Sequence, residues 1–494
     1  MTVRVLSVAS EAYPLVKTGG LGDVAGALPA ALAPYDIRLT TLIPGYPAVM
    51  AALKESRLLH AYKDLLGVEA WLVGGTAGGL EVVVLDAPAL FTRGGGLYSG
   101  PGGKDWPDNW LRFGALGRAA ADIVRGAVAG LHFDLLHAHD WQGAMAAAYL
   151  RFGKGTAAPS IVTIHNLAFP GYFPAEVFPR LDLPPEAFAI EGVEYFGGVG
   201  FLKAGLWAAD AITTVSPAYA EQMRTPAFGM GFEGLLTTRR DRVSGILNGI
   251  DTLVWNPATD TNLAAVYDLR ALHRRVLNRR AIESEFGLNE GGGPLFCVVS
   301  RLTAQKGMDV LAGIADELVA MGGRMALLGS GDAKLEAAFK AAAARHPGRF
   351  GVRIGYDERL SHLLQGGADA IVIPSLFEPC GLTQLYGLRY GCVPVAARTG
   401  GLADTIIDAN EAALAAGVAT GFLFDEVTPD GLSHALRRAL SLFGNREAWR
   451  IMQKRGMKAD FSWKRSGRHY AELYTRLLKA ALRPQPPSPA PGPG

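Results

Sequence analysis

Short apolar, β-branched runs alternate along this chain with longer Ala- and Leu-rich stretches, and that alternation predicts repeated strand–helix units. In the first half the predicted strands are residues 4–8, 81–85, 134–137, 161–164 and 211–215; in the second they are 296–299, 325–328, 352–354, 370–373 and 393–395. Their nearly unbroken hydrophobicity is the mark of parallel strands buried on both faces, so the fold class is α/β. Two series, each opening with its own strand, loop and helix, imply two similar sheets rather than one very wide one. The junction falls near Asn248-Gly249-Ile250-Asp251.

The candidate chemistry sits where predicted strands end. Lys17-Thr18-Gly19-Gly20-Leu21-Gly22-Asp23 follows the first strand, and a lysine beside paired glycines predicts an anion site. Glycines let backbone N–H groups approach a phosphate, and the next helix offers its positive end. The stretch Gly20 to Ala25 also matches a dinucleotide fingerprint, but the residues between strand and glycines, Pro14 among them, displace it from the required turn. No acidic residue closes the next strand either, so hydride transfer is set aside.

The second half repeats the arrangement. Arg301 and Lys306, with Gly307 behind them, follow its first strand and supply two cations suited to a diphosphate leaving group. Farther on, Ser375-Leu376-Phe377-Glu378-Pro379-Cys380-Gly381-Leu382-Thr383-Gln384 marks a strand end running into a helix. The N–H groups of Gly381, Leu382 and Thr383 are predicted to hold a phosphate, and Glu378 to accept hydrogen bonds from sugar hydroxyls or to favour the helix start. Cys380 reads as a packed contact, with no histidine base adjacent to it. Thr399-Gly400-Gly401-Leu402-Ala403-Asp404 echoes the first glycine motif. His137, His139, Asp140 and His165-Asn166 close first-half strands, where histidine can serve as base, metal ligand or sugar-oxygen donor. No companion motif completes a metal set, so no metal and no cofactor is expected.

Composition narrows the partners. With a net charge of +2 and 19% charged residues, the 494-residue chain has no broad electrostatic footprint for nucleic acid or an acidic membrane. Three cysteines suit a reducing compartment, and no apolar run is long enough to span a bilayer, so a cytoplasmic location is expected. The Pro-rich tail, 483–494, is expected to be disordered.

Taken in order, Lys17 to Leu21, His139-Asp140-Trp141, Thr163 to Asn166, Phe201 to Leu206, Asn248 to Asp251, Arg301 with Lys306, and Glu378 to Gln384 resemble the bacterial glycogen synthase and plant starch synthase family. The resemblance implies a GT-B fold, two facing Rossmann-like domains with an interdomain active-site cleft that closes over the donor. It divides the chain into 1–247 on the glucan-acceptor side, 248–461 on the nucleotide-sugar side and a helix, 462–482, crossing back. The implied reaction transfers glucose from ADP-glucose to the nonreducing 4-hydroxyl of an α-1,4-glucan with retention of configuration. Carried over by position, Lys17 and Gly20 bind donor, Arg301 and Lys306 clamp the diphosphate, Gly381, Leu382 and Thr383 cradle it, and Cys380 counts among the substrate-binding residues. Glu378 accepts from the sugar, His165 lies beside the anomeric carbon, Tyr356 stacks on adenine, and Tyr98, Asp140 and Asn248 contact sugar or acceptor. A wider superfamily pattern puts a second glutamate where this chain has Tyr386. Another retaining glycosyltransferase, a sugar-nucleotide epimerase and a noncatalytic glucan-binding protein are the alternatives; oligomeric state is left open.

Overall fold

The computed structural model describes residues 2–154, 158–291 and 293–482, and the Pro-rich tail expectation lies outside them. The chain divides into two compact units: the first takes residues up to Val215, Ala220–Ile246 and the final helix; the second takes Ser216–Tyr219 and Leu247–Ser462.

The first unit is built on a nine-stranded sheet. Seven strands are parallel, in the spatial order Val243–Gly245, Ala211–Thr214, Ser160–Ile164, Leu135–His139, Val3–Val8, Ile37–Pro44, Leu80–Asp86. Two antiparallel strands, Val68–Ala77 and Lys54–Leu65, extend the last edge. This hairpin departs from the expected all-parallel pattern. Its outer strand, KESRLLHAYKDL, is mostly exposed and breaks register three times, so it carries no apolar alternation to read. Charged, irregular edges of this kind discourage pairing with another chain.

Parallel strands crossing from the middle outward in both directions give a doubly wound sheet. The direction of winding reverses between Val3–Val8 and Leu135–His139, which lie side by side. The helix Trp463–Ala481 completes the core, packing Tyr470, Leu473 and Tyr474 with Val5, Val24, Leu28 and Leu135. Gly467 permits the approach: a Cβ there would sit 2.5 Å from the Ala31 carbonyl oxygen.

The second unit holds six parallel strands in the order Phe350–Ile354, Arg324–Gly329, Leu295–Val299, Ala370–Ile373, Val393–Ala397, Phe422–Phe424. Residues alternate faithfully between its faces: Phe296, Val298, Met325, Leu327 and Val372 enter one core, Leu295, Cys297, Ala326, Leu328 and Ile371 the other. Here the winding reverses between Leu295–Val299 and Ala370–Ile373. No helix among the described residues is long and apolar enough to cross a membrane.

Candidate functional site

Ligands of doubly wound sheets gather outside the carboxyl ends of the strands flanking the reversal point, and in each unit the loops that follow those two strands carry most of the candidate residues, while Tyr98, His165, Asn248 and Tyr356 follow other strands. In the first unit these are the loop after Val8, with Lys17 and Gly20, and the turn after His139, with Asp140. In the second they are the loop after Val299, with Arg301 and Lys306, and the loop after Ile373, with Glu378 to Thr383.

The glycine loop differs from expectation in one respect. The carboxylate of Glu11 already accepts from the N–H groups of Thr18 (2.5 Å) and Gly19 (3.2 Å) and from the Thr18 hydroxyl (2.5 Å). Those amides therefore hold an internal anion and are not open to a phosphate. Gly20, first residue of the helix Gly20–Leu32, remains clear, with nothing within 4 Å of where a Cβ would stand. Lys17 pairs with Asp23 at 2.9 Å and stays more than a third exposed. The Tyr98 hydroxyl also donates to Glu11 and lies 2.8 Å from the Ser10 hydroxyl; burial and the Glu11 charge push its pKa well up, so it stays a neutral phenol.

Around the other loop, three histidines separate into two roles. His137 is a core residue, bonded to the Tyr474 hydroxyl at 2.7 Å and the Thr163 hydroxyl at 2.6 Å, its pKa held well down by burial. His139 joins Ser7 at 3.2 Å on one side and His165 at 3.0 Å on the other. His165 is nine-tenths buried, and its Nδ1 is a buried polar atom with no partner in the protein. Burial and His139 push its pKa well below the usual range, so it is a neutral imidazole with one unused nitrogen.

Asp140 fixes that ring. It opens the helix Asp140–Phe152 with a left-handed φ of 49°, and its Oδ1 accepts from the backbone N–H of His165 at 2.6 Å and of Asn166 at 3.4 Å. Burial pushes its carboxyl from 3.8 up to about 7, the two N–H groups pulling it back. A folded-state pKa above the unfolded one means that the native state holds the extra proton between them. Its stabilising effect is complete below about pH 4 and is lost as pH rises through 7. Asp140→Asn, which keeps the accepting oxygen and cannot ionise, is expected to remove that slope. The unfolding free energy of wild type, read from urea titrations, should fall relative to the variant between pH 5 and 7.5 by an amount on the order of 2–4 kcal/mol. Parallel curves would show that Asp140 does not titrate there.

In the second unit, Lys306 ends the short 3-10 turn Ala304–Lys306, and its Nζ meets Glu378 Oε2 at 2.6 Å, both side chains largely buried. Ser375 donates to the same oxygen at 2.9 Å. Arg301 is exposed. Gly381 takes a φ of +69° and turns the chain into the helix Thr383–Tyr390; Gln384 Nε2 braces that turn by donating to the carbonyls of Cys380 and Gly381, each at 2.9 Å. Cys380 is buried, burial pushing its thiol up to about 12, and the Asn248 backbone N–H reaches it; Asn248 Oδ1 is itself buried without a partner. Tyr356, after the strand Phe350–Ile354, is 73% exposed and donates its hydroxyl to Glu358. Tyr386 stacks on Trp255 with centroids 3.6 Å apart, so the place of a second glutamate is filled by an aromatic packed in the unit.

Four supports had no role assigned from sequence: Glu11, Ser375, Gln384 and the Gly400-Gly401 pair. A Cβ at Gly400 would stand 2.1 Å from the Glu378 carbonyl oxygen, and one at Gly401 2.0 Å from that of Cys380. The echo of one glycine motif in the other was the available signal, and close backbone approach is its explanation here.

Two families match the chain: "Starch synthase catalytic domain" over residues 4–238 and "Glycosyl transferases group 1" over 280–455. A glycogen synthase of Novosphingobium aromaticivorans is 62% identical, the match covering 97% of this chain and 99% of that one. One of Mesorhizobium japonicum is 57% identical over 96% and 99%. Among solved structures, the catalytic domain of starch synthase IV from Arabidopsis thaliana, bound to ADP and acarbose, superposes with a TM-score of 0.86 at 31% identity, covering 97% of this chain and all of the other.

Proposed function

The chain belongs to the glycogen synthase family of glycosyltransferases, and from that premise we propose how its residues carry the transfer of glucose from ADP-glucose to the nonreducing 4-hydroxyl of an α-1,4-glucan. The observation that carries the proposal is the Lys306–Glu378–Ser375 group at the reversal point of the second sheet. Diphosphate departure needs fixed positive charge that strengthens as the bond breaks. Lys306 and Arg301 supply it, with the N–H groups of Leu382 and Thr383 at the start of their helix adding a partial positive charge. Once Lys306 engages phosphate, Glu378 is released to accept from the sugar hydroxyls, so the resting ion pair is exchanged for two contacts with substrate.

Tyr356 offers an exposed ring for the adenine, and Asn248 an unpaired amide oxygen for a hydroxyl. In the first unit, Lys17 and Gly20 meet the donor, Asp140 holds the backbone of His165, and the neutral His165 ring presents Nδ1 to the transferred glucose. A neutral ring suits an anomeric centre that becomes positive, since an imidazolium would repel it. A relative's complex with ADP supports the nucleotide. The cytoplasmic assignment is supported by three buried cysteines, all present as free thiols.

Incubation with ADP-glucose and glycogen, with UDP-glucose and sucrose as control donors, tests this reading. ADP release should require glycogen, and the added glucose should be removable by an enzyme specific for α-1,4 linkages. Release of ADP that is indifferent to glucan, or a preference for another donor, would refute it.

A further inference from the structure

Away from these loops, the first unit carries a small antiparallel sheet, Tyr172–Phe173, Gly198–Gly200 and Glu194–Tyr195, that leaves two aromatic rings in solvent and a third, Tyr195, half-buried between them. Phe196 is 75% exposed and Tyr172 49%. Phe196 and Gly197 form the two-residue turn of a hairpin, with φ of 47° and 78°. Such a turn favours asparagine, aspartate or glycine at its first position, and a bulky aromatic held there is a strained choice. The fold gains no buried ring in return.

The cluster is nonetheless firmly built. Tyr195 lies between its neighbours, its ring centroid 4.6 Å from Phe196, 6.4 Å from Tyr172 and 5.0 Å from the buried Phe232, on which it stacks. Glycines press against the rings from behind: a Cβ at Gly198 would stand 2.6 Å from the Tyr172 ring and one at Gly200 2.9 Å from the Tyr195 ring. Lys203 fastens the segment leading into this hairpin, donating to the carbonyls of Ile190 and, at 2.8 Å, Gly192. The other end is tied to the His165 loop, since Phe201 and Leu202 donate to the carbonyls of Gly171 and Pro170 at 3.0 and 3.1 Å. Lys203 itself is buried and its ammonium is spent on the Ile190 and Gly192 carbonyls, whereas the side chains of Glu194 and Glu233 border the cluster, accepting from the N–H groups of Gly197 and Gly231. An anionic ligand is therefore disfavoured.

Exposed, rigid, uncharged rings bordered by carboxylates fit a pyranose, whose C–H face packs on aromatic carbon while its hydroxyls donate to the rim. We propose that Tyr172, Tyr195 and Phe196 form a platform for the glucan acceptor, holding glucose units behind the one being extended. The assignment rests on the transfer reading above, and it names where the acceptor chain is gripped.

Phe196→Gly and Tyr172→Ala test it, with Leu58→Ala, an exposed residue of the outer edge strand, as control. Glycine relieves the turn, so Phe196→Gly is expected to melt at or above the wild-type temperature while its affinity for glycogen, read by retardation in native gels containing the polymer, falls at least tenfold. Tyr172→Ala should fall comparably, Leu58→Ala not at all, and the acceptor KM should rise in step while the donor KM moves less than twofold. Phe196→Trp should restore affinity. Transfer by the wild type with unchanged glycogen affinity in both variants overturns the platform alone. Retardation lost in the variants with no transfer by the wild type overturns the transfer reading and leaves the platform. A variant that changes molecular mass in solution but not glycogen affinity makes the patch a contact between copies of this chain, and also overturns it.

Discussion

Lys306→Ala is expected to lower kcat by about a hundred- to a thousandfold, the usual loss when one group stabilising a developing anion is removed. Lys306 is the cation nearest Glu378, at 2.6 Å, with about a sixth of its side chain exposed, so water substitutes poorly for it. Part of any loss could come from stranding Glu378, which would retain only the Ser375 hydroxyl as a partner. The double variant Lys306→Ala/Glu378→Gln separates the two effects. If Lys306 acts on the leaving diphosphate, removing the carboxylate charge leaves kcat low; if its task is to neutralise Glu378, the second substitution restores much of it. Near-normal turnover by folded Lys306→Ala at saturating donor would take Lys306 out of the clamp.

Gly307→Ala should be the most damaging single-methyl substitution near the site, costing about 3 kcal/mol or more. Gly307 has a φ of +65°, and a Cβ on it would fall 1.8 Å from the Pro374 carbonyl oxygen. That contact joins the loop after the first strand of this sheet to the loop after its fourth, the two that carry Lys306 and Glu378. The same methyl group on Gly20 meets nothing within 4 Å, and Gly20→Ala should leave the thermal midpoint within about a degree. Equal midpoints for the two variants would mean that the loops yield at no cost.

Most of the parallel strands were legible because burial on both faces leaves an apolar run that no helix period explains; 370–373, for example, coincides with Ala370–Ile373. The outer hairpin was not, since an exposed edge strand has no apolar face to display. At the site, Arg301, Lys306 and Glu378 stood out because charge at a strand end is conspicuous. Glu11 did not: a single acid after a strand has no pattern, and its role appears only when the chain folds back to bring the amides of Thr18 and Gly19 onto it. The three histidines were conspicuous for the opposite reason. Spacing alone could not tell that His137 is spent on Tyr474 and Thr163 while His165 keeps a nitrogen free.

The return of Trp463–Ala481 to the first unit sets an order for folding during synthesis. When Ile246 leaves the ribosome, the cover over Val5, Val24 and Leu135 has not been made, and His137 lacks the Tyr474 hydroxyl. At about 5–20 residues per second, translating the intervening second unit takes on the order of ten to forty seconds. During that interval the nascent first unit presents an apolar strip to water, while the second unit, contiguous apart from Ser216–Tyr219, emerges with its cores nearly complete. The half of the chain made first is thus the half finished last, and its unsealed strip is where a ribosome-bound chaperone would find its grip.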